Sequence, residues 1–185
     1  MVNILHACKI LFERSKNKMN RNENMNTLSL LCDGEIAIAI DTILKTARLK
    51  RVRITSLYVE NVELDNGNKL LDSLLELMKK GVDVTILIGR KPKVNHWVRF
   101  FEKLEDFGAN LYYNWRIHSK MLLLDCFDER IALITSANYT HGGLHFRHEV
   151  GVCLKDLPLG KYNKLGDFFN YVVGSEETRV LKDVV

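Results

Sequence analysis

What most restricts the fold of this chain is an alternation between short apolar runs and longer runs whose apolar residues recur three and four positions apart. Leu28 to Cys32 is a short apolar strand ended by Asp33-Gly34. Ile36, Ile40, Ile43, Leu44 and Ala47 then share one helical face, and Lys45 to Arg51 places cations where a helix C-terminus favours them. Arg53 to Val59 alternates as a strand. Leu70, Leu71, Leu74, Leu75, Leu77 and Met78 form a second helix closed by Lys79-Lys80-Gly81, and Val82 to Ile88 is β-branched and strand-like. A helix from Trp97 to Phe107 stops at Gly108, and Asn110 to Tyr113 returns as a strand. The order βαβαβαβ predicts an α/β sandwich, a mixed β-sheet flanked by helices on both faces.

The last third packs strands closely, at Ile117 to Asp125, Arg130 to Thr135 and Glu149 to Leu154, before a helix from about Lys164 to Val173. A length of 185 residues leaves room for one domain, and no internal repeat is visible. Residues 1–26 stand apart. Ile4, Leu5, Cys8, Leu11 and Phe12 recur at helical spacing, and Arg14 to Asn26 is polar, so an amphipathic helix and linker are expected ahead of a domain spanning 27–185. No apolar run approaches the roughly 20 residues that cross a bilayer. With no cleavage signature near Met1, a cytoplasmic protein without stable membrane insertion is expected. The cysteines Cys8, Cys32, Cys126 and Cys153 form no CxxC pair and are expected to be buried and reduced.

Two residue pairs suggest chemistry. Within the apolar run from Ile117 to Asp125, His118 and Lys120 lie two apart and share a strand face, and burying such groups is expensive unless they open into a polar cavity. Ser136 and Asn138, after the next strand, repeat the two-residue spacing. A histidine can attack or move protons, while lysine, asparagine and serine can hold anionic oxygens, which is the equipment for phosphoryl transfer.

The run His118-x-Lys120-x4-Asp125, followed by Thr135-Ser136-x-Asn138, resembles the HxKxxxxD and GSxN signature of the phospholipase D superfamily. Lys80 to Leu87, Gly143-Leu144 and His148 to Val152 resemble flanking stretches of that family, so the likeness covers about Thr27 to Val173. Thr135 stands where the family usually has glycine, and His148 precedes Glu149 where family nucleases often carry Asn-x-Glu. The first departure is expected to narrow the pocket and the second to alter the polar shell around Glu149.

The resemblance implies an α-β-α sandwich and a metal-independent phosphodiesterase that needs no cofactor. It implies that His118 attacks phosphorus to form a phosphohistidine, that Lys120, Ser136 and Asn138 steady phosphate oxygens, and that Glu149 orients a histidine. Asp125 belongs to the same signature, but its offset of seven residues turns it to the opposite strand face, where a structural role is expected. The family chemistry uses a second histidine. A chain with one HxK and no repeat then implies a homodimer whose active site sits at the two-fold interface.

Net charge is +4, too mild by itself to identify a partner, so clustering carries the argument. Lys50 and Arg51 lie in one basic run and Arg90, Lys91 and Lys93 in another, and either run could track a nucleic-acid backbone. Trp115, just before the signature, could stack bases. DNA or RNA cleavage is therefore the leading expectation. A lipid phosphodiesterase or transferase is one alternative, and a catalytically silent nucleic-acid-binding subunit of a defence or repair system is another. A zinc site at His141, His145, His148 and Cys153 is disfavoured, because their spacing matches no common structural-zinc pattern.

Overall fold

In the computed structural model, residues 27–183 are described; the amphipathic helix expected within residues 1–26 lies outside them. The element that organises the rest is β2 (Leu49–Ser56), in which every residue from Val52 to Ser56 is buried. A strand covered on both faces shows no polar alternation. It is central in an eight-stranded sheet of order β1-β7-β6-β5-β2-β3-β4-β8. The other strands are β1 (Thr27–Cys32), β3 (Asp83–Ile88), β4 (Asn110–Tyr113), β5 (Met121–Cys126), β6 (Arg130–Thr135), β7 (Val150–Lys155) and β8 (Arg179–Val180). Strands β2, β3 and β4 are mutually parallel; every other neighbouring pair is antiparallel, so the sheet is mixed as expected.

Helices cover both faces. On one side α1 (Glu35–Thr46), α2 (Leu70–Lys79) and α3 (Asn95–Asp106) bury Ile36, Ile40, Leu70, Leu74, Phe100 and Leu104 against Val52, Ile54 and Leu122. On the other side α4 (Leu159–Val173) sets Tyr162 and Phe169 against Leu87, Leu123 and Ala132. That helix leaves the β1 end of the sheet uncovered, where Leu28, Leu30, Ile134 and Val150 are exposed. Among the described residues no helix is long and apolar enough to cross a membrane.

Several expected boundaries move. The first helix ends at Thr46, so Lys50 and Arg51 lie on β2 instead of a helix terminus. Leu49 and Val52 are buried, and their burial draws that segment into the sheet. The final helix starts at Leu159, five residues earlier than its periodicity suggests. Cys32 is exposed and Cys126 half-buried, so of the described cysteines Cys153 alone meets the expectation of burial; all three are free thiols.

Candidate active site

Strand direction decides which residues can meet. Because β5 runs antiparallel to β2 and β6, the start of β5 lies beside the ends of β2 and β6; the start of β7 and the end of β1 share that rim, as does the end of β3. Apart from Asp125, the signature residues lie at this rim. The HxK pair is not in a strand as the sequence suggested, since β5 begins only at Met121. It lies in the short irregular segment between the Asn114–Ile117 turn and β5. In that turn Ile117 N–H bonds to Asn114 O at 3.0 Å, and Asn114 is itself buried, with its amide nitrogen 2.9 Å from Thr178 Oγ1.

The segment exposes His118 and buries Lys120, which is 8% exposed. The Lys120 ammonium folds back to donate to His118 O at 2.9 Å and lies 3.2 Å from His118 Nδ1. An ammonium can only donate, so in this arrangement Nδ1 accepts and a neutral ring carries its hydrogen on Nε2. Burial lowers the Lys120 pKa, opposed by the nearby Glu149 carboxylate.

Thr135 N–H joins the second signature segment to the first by donating to Lys120 O at 3.0 Å. Thr135 is 8% exposed, and its hydroxyl is engaged with Val150 O and Ala137 N–H, each at 3.0 Å. Thr135 therefore braces the start of the connection from β6 to β7, with its hydroxyl turned to backbone groups. Ser136 Oγ donates to Glu149 Oε2 and accepts Val150 N–H at 3.1 Å. Its proton is committed to the carboxylate, so the arrangement shows Ser136 holding Glu149 in place. Asn138 is half-buried, with Oδ1 3.2 Å from Ser56 Oγ, which leaves its NH2 group for the rim.

Four residues that shape this rim were not singled out as site residues by the sequence: Ser56 and Gly89 carried no signal, Asp33 entered only as a strand end, and Gly143 only as part of a flanking match. Asp33 brackets Glu149, donating its N–H to Glu149 O at 2.9 Å and accepting Glu149 N–H on Oδ1 at 3.0 Å. It does so with φ 48°, in the left-handed region that aspartate tolerates. The ring of His148 is fully exposed, with Nδ1 3.6 Å from Asp33 Oδ2. Ser56 contacts Asn138. Gly143 and Gly89 admit close backbone approaches: a Cβ on Gly143 would lie 2.4 Å from Asn138 O, and one on Gly89 would lie 2.1 Å from Ile117 O, beside His118. Gly89→Ala is therefore expected to cost about 1–3 kcal/mol and to displace the His118 segment. Thermal unfolding checks this, and a variant with an unchanged midpoint would show that the segment relaxes without cost.

Arg90, Lys91 and Lys93 are exposed in the loop that follows β3, at the same rim. Trp115 is 61% exposed, with the Arg116 guanidinium 5.1 Å from its ring centre. The structure does not bring Lys50 and Arg51 there. At about 3.3 Å per strand residue, Arg51 lies roughly 16 Å along β2 from Ser56, and its guanidinium bridges Asp83 and Asp125. Lys50 sits over the Phe127 ring. Asp125 also stands apart from the cluster. At the far end of β5, it pairs with Arg53 at 3.0 Å. Of the histidines weighed as zinc ligands, His145 Nε2 contacts Glu63 O, while Cys153 lies within β7; among the described residues no three His, Cys, Asp or Glu are arranged to hold a metal ion.

Residues 40–167 match the family model described as "Cardiolipin synthase, PLD-like domain". A cardiolipin synthase of Staphylococcus aureus is 29% identical over 132 residues, covering 67% of this chain and 26% of the relative. The chain thus spans about a quarter of the length of the curated relatives it matches. Among solved structures, Nuc of Salmonella typhimurium, a phospholipase D family member, superposes with TM-score 0.66 at 15% identity, covering 83% of this chain and 97% of that one. Phosphatidylserine synthase of Haemophilus influenzae superposes with TM-score 0.64 at 19% identity, covering 88% of this chain and 41% of that one.

Proposed function

This chain belongs to the phospholipase D superfamily, and from that premise we propose that it is a phosphodiesterase that cleaves nucleic acid through a covalent phosphohistidine at His118. One observation carries the reading: the exposed His118 ring, backed by buried Lys120, lies on the rim that also presents Arg90, Lys91, Lys93 and Trp115. A row of cations flanking a nucleophile suits a polymer of phosphodiesters, each of which releases counterions where a cation replaces them. An exposed aromatic ring beside them offers a surface for a base.

An arriving phosphate draws the Lys120 ammonium from His118 Nδ1 onto its own oxygens. Nδ1 can then hold the ring hydrogen, and Nε2 has a lone pair with which to attack phosphorus. The N–P bond forms as the P–O bond to the leaving group breaks, and the departing oxygen takes a proton from a second histidine. That histidine, now neutral, deprotonates the water that attacks phosphorus and breaks the N–P bond. Lys120 and the Asn138 NH2 offset the charge that gathers on the phosphate oxygens. Glu149, held by Ser136 and bracketed by Asp33, stabilises an imidazolium. His118 of a second copy supplies the acid, so the working form is a homodimer.

A lipid reading has its own support in the cardiolipin synthase similarity and in the exposed Leu28, Leu30, Ile134 and Val150. Purified protein incubated with single-stranded DNA, duplex DNA, RNA and phosphatidylglycerol vesicles, with and without excess EDTA, separates the two. Cleavage of a nucleic acid, unchanged by EDTA, is expected. Activity confined to the vesicles would select the lipid reading, and loss of all activity in EDTA would sink the metal-independent mechanism. Light scattering on the same preparation is expected to give the mass of a dimer; an active monomer would overturn the shared site.

A further inference from the structure

Apart from Asp125, the signature residues lie at or beside the rim ends of β5 and β6, yet the two segments that carry them meet on the last two residues of β2, which lie outside the signature. Thr55 is 1% exposed and Ser56 is fully buried. A buried hydroxyl is costly without a partner, so the partners of these two constrain whatever they touch. Thr55 Oγ1 accepts the hydroxyl of Ser119, the residue between His118 and Lys120, at 3.1 Å. Ser56 Oγ faces the other segment, 3.2 Å from Asn138 Oδ1, and accepts Tyr139 N–H at 3.4 Å.

We propose that Ser56 is a positioning residue for Asn138, holding the carboxamide oxygen inward so that the Nδ2 hydrogens face the phosphate. This rests on the reading of the rim as a phosphodiesterase centre. An amide turned end for end would present an acceptor oxygen to an anion, so its orientation separates attraction from repulsion. Ser56 has one hydrogen and two acceptors within reach, Tyr58 O at 2.7 Å and Asn138 Oδ1 at 3.2 Å. A phosphate accepting from Nδ2 polarises the amide and makes Oδ1 the better acceptor, so the contact tightens when substrate is bound.

The test is a double-mutant cycle with Asn138→Ala. Ser56→Ala is expected to lower kcat about tenfold, with KM held within about twofold, because the contact acts on the transition state. In the Asn138→Ala background the same change is expected to cost less than about twofold. Equal losses in both backgrounds would mark Ser56 as a packing residue and overturn the proposal, as would no loss in the parent. If Ser56→Ala does not fold, Ser56→Cys keeps the size with a weaker donor and is read in the same way. A second readout needs no turnover: the side-chain amide resonances of Asn138, assigned by their absence in Asn138→Ala, are followed as inorganic phosphate is added. They are expected to shift in the parent and, at saturating phosphate, to shift less than about half as far in Ser56→Ala, where an unheld amide turns its oxygen to the anion part of the time. An equal response in both proteins overturns the proposal. A parent that responds to phosphate but turns over no diester rejects the functional reading and leaves the positioning role standing.

Discussion

Replacing His118 with alanine is expected to lower diester turnover by about 10⁴-fold or more, the scale of losing a nucleophile outright. The size follows from how the neighbouring groups are engaged. Ser136 directs its hydrogen to Glu149, Ser119 directs its own to Thr55, and Lys120 is buried with its nitrogen against His118. Among the described residues, none of these three side chains is placed to take over the attack. Because the His118 ring is exposed, its removal leaves little cavity, and the thermal midpoint should stay within about 2 °C. Rapid quenching at alkaline pH under single-turnover conditions, followed by mass spectrometry, reads the step directly. The parent should gain the mass of one product fragment, and His118→Ala should gain none. Unchanged turnover, or an adduct on the variant, would remove His118 from its role.

The apolar periodicity carried the layer order of the fold because burial itself produces it. Helix faces such as Ile36 and Ile40, and short runs such as Val84 to Ile88, bury the residues that define them. Boundaries failed where burial competed with charge. Lys45 to Arg51 looked like the cationic end of a helix, but Leu49 and Val52 drew Lys50 and Arg51 into β2, away from the site. The period of two also misplaced His118 and Lys120. The shared face it assigned belongs to a strand, whereas both residues lie in the irregular segment ahead of β5, one exposed and the other buried. Asp33 and Ser56 act through contacts with residues 82 to 116 positions away, and Gly89 and Gly143 through the room a missing Cβ leaves. A single sequence holds no local pattern for such contacts. The Asp33-Gly34 break after β1 was one visible trace.

Asp125→Ala is expected to cost stability while sparing chemistry, by about 3–5 kcal/mol, the scale of breaking a buried ion pair by removing one partner. The Arg53 side chain is 7% exposed and reaches Asp125 at 3.0 Å. Its guanidinium lies 5.9 Å from the ring centre of Tyr162 and 5.8 Å from that of Phe169, and a Cβ on Gly166 would sit 3.1 Å from its Nη1. The Arg53 Nε has no hydrogen-bond partner among the described residues, so Asp125 carries most of the compensation for this charge. Arg51, 3.6 Å from Asp125, is half-exposed and can rehydrate; Arg53 cannot. At roughly 2–4 °C per kcal/mol for a chain of this size, the midpoint should fall by about 6–20 °C. Assayed below its own transition, the variant should keep kcat within about threefold of the parent, since roughly four residue steps along β5, about 13 Å, separate Asp125 from Met121 at the rim. Replacing both partners with leucine should restore much of the midpoint, because two apolar side chains leave no charge to compensate. A folded Asp125→Ala protein that had lost activity by two orders of magnitude would instead make Asp125 part of the chemistry, and an unchanged midpoint would mean that Arg53 reaches water after all.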